Sequence, residues 1–276
     1  MEVIDSHQHF WVYSPDTYDW IDDSMAVIRR DFLPEHLAPI LRENGVDGTI
    51  AVQADQSITE TNFLLDQANE YDFIYGVVGW VDLQSDHLEA QLDALAHREK
   101  LVGFRHIVQG EQDPLFLMRP RFRRGLEMIF ERGYAYDLLI YPHQLGVALE
   151  LIDQFREAPI VIDHLAKPYI RSGLWKGWKV MMEEISKYPH VMCKWSGMIT
   201  EANWQTWQQE DLAPYLDVTA DAFSANRLMF GSDWPVLNVA GTYENVLGGI
   251  RDYINGWSEE DQKNVLGGNA RRFYLE

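Results

Sequence analysis

Short apolar runs alternate with amphipathic segments along almost the whole chain. About eight of the apolar runs are rich in β-branched and aromatic residues, which predicts strands over residues 3–9, 48–53, 73–80, 101–107, 134–140, 160–164, 191–195 and 228–233. Between and after them, apolar residues recur at helical spacing, which predicts helices over 34–42, 59–70, 87–97, 121–132, 144–155, 176–187, 213–223, 243–254 and 259–266. Strands that alternate with helices in this way are typical of a parallel sheet.

The number of strand and helix pairs predicts a (β/α)8 TIM barrel. The chain has 276 residues, and roughly 250 are usual for this fold, whose active face lies at the carboxyl ends of the strands. An open doubly wound sheet is the alternative, but it needs a glycine-rich turn after the first strand, where this chain has Gln8-His9-Phe10-Trp11. No Pro- or Ser-rich linker divides the chain, so residues 1–276 are expected to form one domain.

The charge balance narrows the range of partners. Asp and Glu number 43 against 23 Lys and Arg, so the net charge is −20 and no nucleic-acid partner is expected, because phosphate binding depends on clustered basic residues. The chain has no run of 18 apolar residues and no secretory signal pattern, and its one cysteine, Cys193, cannot form an internal disulfide. We therefore expect a cytoplasmic protein without a membrane partner; the sequence does not determine its oligomeric state.

Three histidines and an aspartate stand at the ends of predicted strands. His7 and His9 lie two residues apart in the first strand, so both imidazoles point to one side of it. His164 ends the sixth strand and Asp233 ends the eighth. Strands one and eight are neighbours in a closed barrel, which predicts that His7, His9 and Asp233 meet and can bind one divalent metal ion. Such a metal lowers the pKa of its bound water to about 7 and supplies hydroxide.

Asp233 and His164 are also the candidate catalytic groups. A carboxylate beside an activated water can accept its proton and pass it to the leaving group, which is the role expected of Asp233. Two roles are open for His164, and the sequence does not separate them. It either completes the metal site or polarises the carbonyl of the substrate.

Further polar and aromatic residues are candidates for substrate contact. Arg105 and His106 are adjacent at the end of the fourth strand, so one of them should point into the barrel, and either could bind substrate or stabilise an oxyanion. The loop over residues 10–31 is long enough to cover the barrel mouth. The remaining candidates are two polar residues at strand ends and three aromatic residues that could stack on a sugar ring: Lys194, His143, Trp11, Trp20 and Trp234.

A resemblance to a known family rests on four motifs. They are Asp5-Ser6-His7-Gln8-His9-Phe10-Trp11, Asp163-His164 followed by Lys167-Pro168, Lys194-Trp195-Ser196-Gly197, and Gly231-Ser232-Asp233-Trp234-Pro235. In this order they resemble the amidohydrolase-related TIM-barrel hydrolases, and most of all the sugar-lactone hydrolases of the L-fuconolactonase and L-rhamnonolactonase types. The likeness extends over nearly the whole chain. It implies that His7, His9, His164 and Asp233 form the site at the carboxyl end of the barrel.

The resemblance also bears on the metal. Binuclear members of the family bridge two metals with a carboxylated lysine or a glutamate at the end of strand four, where this chain has Gly103-Phe104-Arg105-His106. The most that is expected is therefore one divalent metal, with Zn²⁺ as the first candidate. Some related lactonases act without a metal, and that alternative stays open.

The activity that the resemblance implies is hydrolysis of a neutral sugar-derived lactone, such as that of L-fuconate or a close relative. A polar, aromatic loop without a basic cluster suits an uncharged polyol better than a dicarboxylate. A metal-dependent decarboxylase of the same barrel family is the alternative enzyme, and it would need a pair of arginines for the carboxylate. A sugar-binding barrel without catalytic activity is the alternative outside enzymes.

Overall fold

Eight parallel strands lie side by side in chain order in the computed structural model, which describes residues 1–276. They are β1 (Ile4–Gln8), β2 (Gly48–Val52), β3 (Ile74–Gly79), β4 (Leu101–His106), β5 (Ala135–Leu138), β6 (Ile160–Ile162), β7 (Val191–Trp195) and β8 (Leu228–Phe230). Each strand pairs with the next one in the chain. The predicted barrel with eight strands is confirmed.

The barrel closes where β1 meets the segment that follows β8. The backbone N–H of Asp233 donates to the carbonyl of His7 at 2.8 Å, and that of His9 donates to the carbonyl of Trp234 at 2.7 Å. The Ser6 hydroxyl adds a bond to the Phe230 carbonyl at 2.7 Å. These bonds fix the register between the two ends of the chain, so residues more than 200 positions apart become neighbours.

Helices cover the outside of the barrel and follow the predicted pattern, with changes at the carboxyl end of the chain. Pro34 is the first residue of the first helix, and Gly45 ends the helix at a φ of 64°. Glycine adopts this value readily because it has no Cβ that would clash with the backbone. The predicted helix 259–266 is a short α-helix that continues through a π-helical turn into another helix. None of the helices is both long and apolar enough to cross a membrane. In order they are α1 (Pro34–Asn44), α2 (Ile58–Glu70), α3 (Leu88–Leu95), α4 (Pro120–Glu131), α5 (Leu145–Gln154), α6 (Lys176–Ile185), α7 (Met198–Glu201), α8 (Gln209–Phe223), α9 (Tyr243–Ile254), α10 (Glu259–Lys263) and α11 (Asn269–Tyr274).

Among the strands that end earlier than the sequence pattern predicts, two precede predicted catalytic residues. Strand β6 ends at Ile162 and β8 ends at Phe230, so His164 and Asp233 lie in the loops that follow. His164 has a φ of 52° and Asp233 a φ of 62°, and a strand cannot contain either value. Both side chains are therefore carried by strained loop backbone at the carboxyl end of the barrel.

The amino end of the barrel interior is filled by side chains from the strands and from α11. A cluster of buried apolar residues includes Ile4, Val78 and Met229 from the strands together with Ala270 and Tyr274 from the last helix. The Tyr274 hydroxyl donates to Asp137 Oδ1 inside the barrel at 2.7 Å. A much larger apolar cluster packs the strands against the surrounding helices. The interior is thus closed at one end and open to solvent only at the other, where the site lies.

Candidate active site

The closed barrel brings the three predicted histidines to one carboxylate. Asp233 Oδ1 lies 3.3 Å from His9 Nε2 and 3.9 Å from both His7 Nε2 and His164 Nε2. Each of these side chains is almost completely buried, and none is more than 6% exposed. The arrangement therefore gathers three imidazoles around a single oxygen atom, as the sequence predicted.

The hydrogen bonds of His9 determine which of its ring nitrogens carries a proton. Its Nδ1 lies 2.7 Å from the carbonyl oxygen of Val52, which can only accept, so Nδ1 is the donor. In the neutral ring the lone pair of Nε2 then faces Asp233 Oδ1. Two acceptors 3.3 Å apart repel each other unless a proton or a cation lies between them, or a water molecule on one side donates to both. The geometry is thus suited to bind and polarise a water molecule.

Burial sets the charge state of the groups around Asp233. Burial lowers the pKa of His164 to about 4, and it holds the pKa of His7 well below the usual range, so both rings are neutral at pH 7. Burial alone would raise the pKa of Asp233, but the neighbouring histidines, His164 foremost, outweigh it and keep that pKa below its ordinary value. Neutral imidazoles thus surround an anionic carboxylate, which is unprotonated at pH 7 and so can accept a proton.

A left-handed turn positions His164 together with Lys167. Four consecutive residues from 164 to 167 have φ between 49° and 58°, and none of them is glycine. This conformation costs roughly 1–2 kcal/mol per residue, so the surrounding structure must impose it. The turn is held by a bond from the Lys167 N–H to the His164 carbonyl and by one from Trp178 Nε1 to the Leu165 carbonyl, both at 2.7 Å. As a result, both His164 and Lys167 line one cavity.

Two cations flank His7 inside the barrel. Arg105 Nη1 lies 3.2 Å from Nε2 of His7, and Lys194 Nζ lies 3.2 Å from Nδ1. Asp163 completes the contacts, with its Oδ1 3.3 Å from His7 Nδ1 and 3.0 Å from Lys194 Nζ. Its Oδ2 accepts from Arg105 at 3.0 Å. The side chain of Lys194 is also paired with Asp137 and is completely buried. His7 is thus fixed in orientation by charges from β4, by the residue after β6 and by β7.

The donor atoms fit a divalent metal in kind and in spacing. One ligand atom each from His7, His164 and Asp233 lies within 4.8 Å of the other two, and two neutral imidazoles with one carboxylate are ordinary zinc ligands. The sequence predicted His9 as a ligand in addition, but His9 does not belong to this compact group. The Arg105 N–H that faces His7 Nε2 would have to move for that nitrogen to bind a metal. The residues therefore support a divalent-metal site at His7, His164 and Asp233.

A cavity of about 610 Å³ opens above these residues. Five of the predicted site residues line it: His9, Arg105, His164, Asp233 and Trp20. Sequence reasoning missed other polar and aromatic groups on the wall, among them Gln56, Tyr141, Lys167, Glu201 and Trp204. Of these, Lys167 could have been found from the sequence, because it lies three residues after His164 in one of the four family motifs. The first loop reaches the cavity through Asp19, Trp20 and Met25, as expected of a loop over the mouth.

Three predicted substrate-binding residues lie in the interior instead of on the wall of the cavity. Lys194 is fully buried among Asp137, Asp163 and His7. Trp11 is also fully buried, and its Nε1 donates to a backbone carbonyl at 2.9 Å. Trp234 is 2% exposed and packs edge-on against the rings of Phe10 and Phe32. These positions correct the predicted substrate contacts, because all three side chains are buried and none of them lines the cavity.

His106 and His143 also lie off the cavity wall. As alternation along a strand predicts, Arg105 points into the barrel whereas His106 packs in the opposite direction, against the ring of Phe116 at 4.8 Å between centroids. The Nε2 of His106 pairs with Glu111 at 2.8 Å. His143 is exposed and lies 3.4 Å from the hydroxyl of Tyr169. The predicted catalytic role of His106 therefore has no direct contact with Asp233 to support it.

A parallel (β/α)8 barrel with imidazoles and an aspartate at the carboxyl end of its strands has the arrangement of a barrel enzyme with its active site at that end. The amidohydrolase family model matches residues 4–275, so the chain belongs to the amidohydrolase family. The resemblance that four motifs indicated is confirmed.

Similar proteins agree with this assignment. The L-fucono-1,5-lactonase of Burkholderia multivorans is 36% identical over 282 residues, covering 98% of this chain and 95% of its own. The L-fucono-1,5-lactonase of Burkholderia ambifaria is 37% identical over 279 residues, covering 98% of this chain and 94% of its own. A crystal structure of a Burkholderia multivorans amidohydrolase with bound zinc superposes with a TM-score of 0.96 at 36% identity, over 99% of both chains.

Proposed function

We propose that the protein hydrolyses a sugar-derived aldonolactone, of the L-fuconolactone type, to the open aldonic acid. The observation that carries the proposal is the buried Asp233 carboxylate on the cavity wall, 3.3 Å from His9 Nε2 and 3.9 Å from two further imidazoles. The similarity to two L-fucono-1,5-lactonases over nearly the whole chain supports the same activity.

In the proposed reaction Asp233 removes a proton from a water molecule on the cavity side that is bound by its carboxylate and by His9. The hydroxide attacks the lactone carbonyl, and the ring C–O bond then breaks. Asp233 returns the proton to the departing ring oxygen, so that water has been added across one ester bond. Because the leaving group is an alkoxide, it needs this proton less than an amine would.

Arg105 supplies a charged donor for the oxyanion. Its side chain is 3% exposed, and its Nε–H has no hydrogen-bond partner in the protein, although the other guanidinium nitrogens bond to Asp163, His7 and Gln53. Because Arg105 lines the cavity, its positive charge can stabilise the charge that develops on the carbonyl oxygen. It is the one arginine among the residues that line the cavity, so the arginine pair that a decarboxylase would need is not formed there.

Zn²⁺ is the metal proposed for His7, His164 and Asp233. When bound there, it would polarise a carbonyl and lower the pKa of a water molecule. The zinc in the similar Burkholderia multivorans structure supports this choice.

A panel of neutral aldonolactones tests the function. Purified protein is expected to release acid from L-fucono-1,5-lactone or a stereoisomer well above the spontaneous rate, measured by pH-stat with the metal content determined on the same sample. Asp233→Asn should lower kcat/KM by about 10²- to 10⁴-fold, because the amide cannot accept the proton. The control is Asp72→Asn, which changes an exposed aspartate far from the cavity and should leave the rate as it is. A wild-type protein that opens no lactone in the panel would refute the proposal.

A further inference from the structure

A second charged pair lies on the cavity wall. Lys167 Nζ and Glu201 Oε1 are 3.0 Å apart, and their side chains are only 17% and 19% exposed. Both residues line the same cavity as Asp233, but neither bonds to it or to the three imidazoles. Removing two charges from water is expensive, and their mutual attraction offsets that expense only if further hydrogen bonds satisfy the remaining donors and acceptors.

Two neighbouring loops build this pair. Lys167 ends the left-handed turn that follows β6, and Glu201 ends helix α7, which follows β7. Strands β6 and β7 are adjacent in the barrel, so the two loops meet at the cavity. Tyr141, after β5, places its ring centroid 5.7 Å from the ammonium nitrogen of Lys167. The segments that follow β5, β6 and β7 therefore meet at this pair, and Lys167 and Glu201 are already in contact without a ligand.

The pair presents a donor beside an acceptor. Burial would lower the pKa of Lys167, but the negative charges of Glu201 and Asp233 outweigh it and raise that pKa, so the ammonium group keeps its three N–H donors. The carboxylate of Glu201 can only accept. Adjacent hydroxyls on a sugar ring match this arrangement, because one can accept from the lysine while the other donates to the glutamate. Trp204 and Tyr141 line the cavity next to them and offer flat apolar surface for the ring.

We propose that Lys167 and Glu201 bind adjacent ring hydroxyls of the lactone and thereby select polyhydroxylated lactones over unsubstituted ones. This inference rests on the proposed lactone hydrolysis. It assigns the pair to substrate selection and leaves proton transfer to Asp233.

A comparison of two substrates tests the inference. Lys167→Met and Glu201→Gln are assayed with L-fucono-1,5-lactone and with δ-valerolactone, which has the ester but no hydroxyls. For each variant the ratio of kcat/KM for the sugar lactone to that for δ-valerolactone should fall by about 10- to 100-fold, as expected for the loss of a charge-assisted hydrogen bond. The matched control is Lys179→Met, which removes a half-exposed lysine paired with Glu183 on α6 and should leave the ratio at the wild-type value.

The outcomes separate this inference from the proposed function. An equal loss on both lactones would assign the pair to the chemical step or to folding and would overturn the inference. If the wild-type protein opens δ-valerolactone but prefers it to the sugar lactone, lactone hydrolysis stands and the selection by Lys167 and Glu201 fails. If the wild-type protein opens neither, the proposed function fails, and calorimetric binding of methyl α-L-fucopyranoside decides the inference. Lys167→Met must weaken that binding at least about 10-fold for the inference to survive.

Discussion

Gly197 determines where the imidazole of His164 can lie. The glycine has a φ of 62°, and a Cβ at this position would lie 2.5 Å from His164 Nδ1 and 2.8 Å from the adjacent ring carbon. The preceding residue, Ser196, holds the same Nδ1 through its hydroxyl at 2.8 Å. The ring of His164 therefore lies directly over the backbone at the end of β7, and its distance from Asp233 depends on the absence of a side chain at position 197.

Gly197→Ala tests this dependence. Gly45→Ala is a matched control, because Gly45 has a φ of 64° and its Cβ would meet nothing within 4 Å. Gly45→Ala should lose about 1–2 kcal/mol of unfolding free energy in urea, the usual strain of a left-handed alanine, and Gly197→Ala should lose more, because its methyl group also clashes with His164. Only Gly197→Ala should lose activity, by about 100-fold in kcat/KM, because the methyl group displaces His164 from the cavity. Wild-type activity in Gly197→Ala would show that the position of the ring is not critical.

The sequence was sufficient to predict which residues meet at the centre of the site, but not which groups their neighbours in the barrel contact. The spacing of His7 and His9 and the strand-end positions of His164 and Asp233 predicted their meeting, because parallel strands end at one face of a barrel. The sequence does not indicate whether the side chain of Lys194 points to the cavity or into the interior of the barrel. That depends on which carboxylates lie opposite it in the barrel, and Asp137 is 57 residues away.

At the scale of whole elements, the chain pattern predicted all eight strands but placed the ends of β6 and β8 too late. For β6 the error has a physical source. The apolar pattern continues through Leu165 and Ala166, both completely buried, although their φ values of 53° and 58° exclude a strand. The pattern of apolar side chains indicates which residues are buried, but it does not indicate the backbone conformation. The left-handed backbone here is imposed by contacts with other segments, such as the bond from Trp178 Nε1 to the Leu165 carbonyl.

Ala166→Gly measures the strain in that turn. Glycine adopts a positive φ at no steric cost, so the substitution relieves strain while it also removes a buried methyl group. The matched control is Ala148→Gly in α5, where the alanine is equally buried but the backbone is an ordinary α-helix. Ala166→Gly should be less destabilising than Ala148→Gly by about 1–2 kcal/mol in urea unfolding. Equal losses would mean that the turn is not strained.

At the scale of the whole molecule, a layer of buried charged side chains crosses the barrel between the apolar cluster at its amino end and the site at its carboxyl end. Arg105, Asp137, Asp163 and Lys194 come from β4, β5, the residue after β6 and β7, and each of them is at most 3% exposed. Tyr274 of the last helix reaches the same layer by its bond to Asp137. The cations hold the pKa of Asp163 well below the usual range, although burial alone would raise it. The layer thus connects the closed end of the barrel to His7 at its open end.

Lys194→Met tests whether this layer stabilises the molecule as a unit. Lys194 is the cation shared by Asp137 and Asp163, so its loss leaves buried carboxylate charge uncompensated and should cost about 3–5 kcal/mol of unfolding free energy in urea. Adding Asp137→Asn in the same chain removes the negative charge with it, while Asp163 keeps Arg105, so the double variant should recover part of the loss. Lys179 is the half-exposed control, and Lys179→Met should change stability by less than about 0.5 kcal/mol. A Lys194→Met protein as stable as the Lys179→Met protein would show that the layer does not depend on its central cation.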